Sequence, residues 1–93
     1  MGPTCEVLLV TDDGPTLDTI DALLASLADR IDRTRKGRVW DIWIRGHPVH
    51  VHIEQSSVIL SAGCNSHEDL PLLRELAESI VQSVGGLYSE PEK

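Results

Sequence analysis

His50, His52 and Glu54 alternate in the run HPVHVHIE, so in an extended strand all three project from one face. Imidazole and carboxylate together are a donor set for Zn²⁺ and similar ions. Alternate residues of one strand lie about 7 Å apart, however, and a flat sheet encloses nothing. The strip is a weak metal candidate; polar side chains that steady the outer side of a sheet would look the same. A second set is Cys64, His67 and Asp12: a thiol, a base and an orienting carboxylate, which are the parts of a nucleophilic site. Their spacing matches no nucleophile signature. Asp12 and Asp13 also suit one helix cap, Ser66 suits another, and Cys64 suits a small apolar filler. The sequence therefore assigns no catalytic residue, no metal and no cofactor, and it favours a non-enzymatic protein.

The element that positions these groups is Arg38 to Gln55, RVWDIWIRGHPVHVHIEQ, which has the pattern of a β-hairpin. Trp40, Ile42 and Ile44 share one face with Val49, Val51 and Ile53; Asp41, Trp43 and Arg45 share the other with His50, His52 and Glu54. A two-residue turn at Gly46-His47, with glycine first as in a type II′ turn, pairs Trp43 with His50 and Asp41 with His52. A one-residue slip would set each Ile opposite a His, so the faces are well determined. A second turn at Gln55-Ser56 pairs Ile53 with Val58, Val51 with Leu60 and Val49 with Ala62.

Around this hairpin, Cys5 to Thr11 is expected to be a strand, apolar enough at Val7 to Val10 to be buried on both faces. Leu17, Ile20, Leu23, Leu24, Leu27, Ala28 and Ile31 recur at helical spacing, predicting a helix from Leu17 to about Arg33. Pro15 suits its first turn, Asp13 or Thr16 its cap, and Gly37 its end. Arg30, Arg33, Arg35, Lys36 and Arg38 would then be cations gathered at a helix C-terminus. Leu70, Leu73, Leu76, Ala77, Ile80, Val81 and Val84 mark a second helix, which Gly85-Gly86 stops. Ser66 and Asp69 resemble a capping box, but Pro71 would then fall beyond the first turn, so either Asp69 is the cap or the first turn is irregular. Leu87 to Lys93 is expected to be a flexible tail.

The order is β-α-β-β-β-α within a single domain spanning residues 1–93. The fold class expected is α+β, a two-layer α/β sandwich. Its four-stranded mixed sheet is an antiparallel meander plus a first strand parallel to a neighbour, either the first or the third strand of the meander. Both helices lie on one face. The carboxyl ends of the parallel strands would then share an edge with Asp12, Cys64 and His67. Cys5 and Cys64 would sit at opposite ends of the sheet, too far apart for a disulfide.

The charge narrows the partners. A net charge of −7 opposes non-specific nucleic-acid binding and attraction to anionic membranes. No apolar run reaches the length of a membrane span and no signal peptide is evident, so a cytoplasmic protein with reduced thiols is expected. Phe is absent and aromatics make up 3% of the 93 residues, so the core rests on Leu, Ile, Val and Ala.

The face opposite the helices would display Asp41, Trp43, Arg45, His50, His52, Glu54, Ser57, Ile59 and Ser61. Trp43 and Ile59 are large apolar groups to leave in water, and Trp and Arg are favoured anchors of protein interfaces. The partner-binding candidates are Trp43, Arg45, Asp41, His50, His52 and Ile59, facing a protein partner or a second copy in a homodimer. In size, charge and layout the chain resembles small interaction modules such as bacterial immunity proteins, which act by binding a toxin. That resemblance implies a binding function and assigns no residue.

Overall fold

The computed structural model describes residues 4–11, 13–34, 38–62 and 69–89. The chain runs β1 (Thr4–Leu8), α1 (Gly14–Leu27), β2 (Arg30–Thr34), β3 (Val39–Ile44), β4 (His47–Glu54), β5 (Ser57–Ala62), α2 (Asp69–Val84) and β6 (Leu87–Ser89). Among the described residues six strands form one sheet in the order β2-β3-β4-β5-β1-β6, and every neighbouring pair is antiparallel. The class is α+β. The expected four-stranded mixed sheet is corrected in three places.

The first correction is β2. Helix α1 stops at Leu27, where Ala28 donates its N–H to Leu24 O at 2.9 Å. The next residue already belongs to the sheet edge, since Asp29 donates its N–H to Trp43 O at 2.8 Å. Ile31 fits a helical stripe and a strand equally well, and short apolar patterns do not separate the two. The signal for a strand was Arg30-Ile31-Asp32-Arg33, where the one apolar side chain faces the helices opposite Ile42. Arg30 and Arg33 are therefore strand residues, not a helix terminus; Arg35, Lys36 and Gly37 lie outside the described residues.

The second correction is the place of β1. It pairs antiparallel with β5, Thr4 opposite Ser61 and Leu8 opposite Ser57. No described pair of neighbouring strands is parallel, so the expected parallel neighbour of β1 is not found. β1 and β2 point the same way, and α1 carries the chain across the sheet to the far edge, leaving β3, β4 and β5 between them. Nor is β1 buried on both sides. Cys5, Val7 and Leu9 face the helices, whereas Leu8 and Val10 are exposed. The third correction is β6, where a loose tail was expected: Leu87 pairs with Leu8 and Ser89 with Glu6. Residues 90–93 lie outside the described residues.

Local chemistry explains the remaining boundaries. Asp13 caps α1, its carboxylate accepting the Thr16 N–H at 3.0 Å, and Pro15 follows in the first turn. Hydrogen bonding from the Thr16 side chain, and then from its backbone N–H, holds the Asp13 carboxyl below its ordinary value. Asp69 begins α2, so Pro71 falls within the first turn, where it interrupts no helical bond. Gly85 and Gly86 follow α2 with φ of 80° and 128°. They turn the chain back along β1 so closely that a Cβ on Gly86 would run into the Leu8 carbonyl oxygen.

Both helices cover the same face. Ile20 and Leu24 of α1 and Leu72, Leu73, Leu76, Ala77 and Ile80 of α2 pack on Trp40, Ile42, Val51, Leu60 and Val7. Burial of this aliphatic surface is the main stabilising term, at roughly 25 cal/mol per Å². Polar contacts tie the layers together. Asp21 of α1 accepts the Trp40 indole N–H at 2.8 Å and the Arg33 guanidinium at 2.7 and 3.2 Å. Asp69, fully buried at the start of α2, places Oδ1 3.7 Å from His47 Nδ1.

Candidate functional site

Among the described residues no helix covers the other side of the sheet. Its side chains are fixed by strand alternation and by two tight turns. At the first, Arg45 and Gly46 both take positive φ, 51° and 81°, as a type I′ turn requires. The turn is thus Arg45-Gly46, one residue earlier than expected, and the pairing moves by two residues. Trp43 lies opposite Pro48, Asp41 opposite His50, and Val39 opposite His52. A two-residue shift keeps every side chain on its face, so the expected set survives while its pairs change. Asp29 selects this turn: its Oδ2 accepts the Arg45 N–H at 2.8 Å. The second turn is as expected, Gln55-Ser56 at positive φ, with Ile53 opposite Val58.

Ladder registers convert into rows across the open face. One row runs Arg30, Trp43, Pro48; the next runs Asp32, Asp41, His50, Ser61, Thr4. A third runs Val39, His52, Ile59, Glu6, Ser89, and the last Glu54, Ser57, Leu8, Leu87. Asp41, Trp43, His50, His52 and Ile59 therefore share the face, as the hairpin pattern implied. Arg45 does not belong to it. Its guanidinium lies 3.6 Å from Glu75 of α2, on the helix side.

Three local contacts organise the face. His50 Nδ1 and Asp41 Oδ1 stand 2.8 Å apart across the β3-β4 ladder, both side chains about half exposed (48% and 46%). The Arg30 guanidinium carbon lies 4.8 Å from the centre of the Trp43 ring, a cation–π geometry, and an Arg30 nitrogen is 3.8 Å from Asp32. Beside them a groove of about 290 Å³ is walled by Trp43, Pro48, Asp41, His50 and Ser61, with the sheet backbone as its floor. A smaller hollow of about 170 Å³ lies on the opposite side, between Leu27, Ile44, Leu72 and the Arg45–Glu75 pair.

The weaker candidates fare differently. His50 and His52 rings lie 6.0 Å apart, and His52 Nε2 is 3.6 Å from Glu54 Oε1. Among the described residues no three His, Cys, Asp or Glu side chains come together as a metal-ligand set. Asp12, Cys64 and His67 lie outside the described residues. Their shared edge rested on β1 running parallel to β3 and β5. It runs antiparallel to β5, so the carboxyl ends of β1 and β5 point to opposite edges. The same register removes the ground for separating the two thiols, because the start of β1 lies beside the end of β5. Cys5 itself is buried, with Sγ 3.5 Å from the Tyr88 hydroxyl.

Sequence reasoning missed Arg30, Asp32, Glu6, Leu8 and Leu87 on this face. Arg30 and Asp32 were hidden by the helical assignment of β2, and the others by the misplaced β1 and the unseen β6. No family model matches the chain, and no curated protein or solved structure shows significant similarity to it. No helix among the described residues is long and apolar enough to cross a membrane.

Proposed function

We propose that this chain is a non-enzymatic protein-binding domain that acts through the helix-free face of its sheet. The observation that carries this is Trp43. Packed beneath an arginine beside a groove, on a face without helix cover, its indole supplies the rigid amphipathic anchor that protein interfaces favour. Ile59 on the same face adds apolar area, and Asp41, His50 and His52 supply polar contacts around it. Among the described residues no metal-ligand set assembles, and Asp12, Cys64 and His67 lie outside them, so the reading rests on Trp43 and its face.

The test is paired affinity capture from an extract of the organism of origin, with wild type and Trp43→Ala as baits. A protein retained by wild type and lost by the variant is expected. Indistinguishable captures would count against binding through this face.

A further inference from the structure

The open face has a charge that says what could cover it. Among the described residues it carries Glu6, Asp32, Asp41 and Glu54 against a single cation, Arg30. Arg30 is already turned onto Trp43 at 4.8 Å and towards Asp32 at 3.8 Å, so its charge is spent within the face. Two other arginines are drawn to the helix side, Arg33 by Asp21 and Arg45 by Glu75. The chain as a whole carries −7.

A second copy docked face to face would set four carboxylates against four. Juxtaposed like charges suppress a partner, whereas complementary charge steers it and fixes its register. A basic surface meets no such penalty. The groove beside Trp43 refines this. The Asp41 carboxylate forms one wall, held by His50 Nδ1 at 2.8 Å, so its direction is set before anything binds. Trp43 and Pro48 form apolar walls, along which the methylenes of a long cationic side chain can lie. A carboxylate beside aromatic and apolar walls is the chemistry that recognises arginine or lysine.

We infer that the open face receives a cationic protein surface, with an arginine or lysine side chain of the partner entering the groove between Trp43 and His50. This rests on the open-face function proposed above and names the chemistry of its partner.

The test is selection of a phage-displayed random peptide library on the full chain. Selected peptides are then titrated against wild type, Trp43→Ala and Asp41→Asn, with circular dichroism confirming that each variant folds. Should Trp43→Ala lose its fold, Trp43→Phe takes its place. Peptides enriched in Arg or Lys are expected, weakened about three- to tenfold by Asp41→Asn and weakened again by about 1 M salt. Peptides that need Trp43 but show no basic enrichment, or ignore both Asp41→Asn and salt, would overturn the cationic partner and leave binding at the face standing. Basic peptides indifferent to both substitutions would overturn the groove as the site. Failure to select any Trp43-dependent peptide would overturn both.

Discussion

Trp40 donates its indole N–H to the Asp21 carboxylate at 2.8 Å, joining the buried side of β3 to helix α1. The same carboxylate oxygen accepts the Arg33 Nε–H at 2.7 Å, so one side chain fixes the helix against both β2 and β3. Trp40 is fully buried, and its N–H needs a partner there. Asp21→Ala removes that partner and strands the donor. A loss of about 1–3 kcal/mol is expected in urea denaturation, with a smaller loss for Asp21→Asn, which keeps an acceptor.

The same contact predicts a dependence on pH. The Arg33 hydrogen bond, helped by the Trp40 N–H, holds the Asp21 carboxyl below its ordinary value of 3.8. A carboxyl depressed in the folded state contributes stability that is fully present above its unfolded value. That contribution is lost as pH falls below about 3.8 through the folded value. The stability difference between wild type and Asp21→Asn should therefore be constant from pH 7 to about 5 and shrink below pH 4. A difference that stays flat to pH 2.5 would contradict the contact.

Gly86 tests the link between α2 and β6. Its φ of 128° lies where side chains are strained, and a Cβ would collide with the Leu8 carbonyl. Gly86→Ala should lower stability by at least about 1–3 kcal/mol, read from chemical denaturation. A neutral outcome would mean that Leu87–Ser89 does not lie against β1.

Trp40 and Trp43 are three residues apart and should behave as opposites. Trp40→Ala would open a large cavity among Ile20, Leu24 and their neighbours, at a cost of about 3–5 kcal/mol, enough to threaten folding of a chain this small. Trp43→Ala removes a partly exposed ring and should cost about 1 kcal/mol or less. Thermal denaturation of the two variants side by side separates these outcomes.

The contrast between the tryptophans was legible in the sequence, because alternation along RVWDIWIR assigns faces whatever the register. The register was less legible. Glycine at a turn's first position argued for Gly46-His47, whereas the turn is set by Asp29, a residue distant in sequence that holds the Arg45 N–H at 2.8 Å. Strand β2 was lost because Ile31 sits where helical and strand spacing coincide. The direction of β1 followed from that loss, since one missing strand reverses the sense in which the chain re-enters the sheet. Asp41, Trp43, His50, His52 and Ile59 survived both errors, because a displacement of two residues moves neighbours and leaves faces unchanged. Arg45 leaves the face, because a residue inside a turn is released from strand alternation and its side chain turns to Glu75 on the helix side.

The proposed function depends first on a sheet whose second side is open to solvent. Hydroxyl-radical footprinting of the intact protein, read by mass spectrometry, measures that directly, because both tryptophans are intrinsically reactive and differ only in what surrounds them. Rapid modification of Trp43 and protection of Trp40 are predicted; equal rates at the two rings, or protection of Trp43, would contradict the open face.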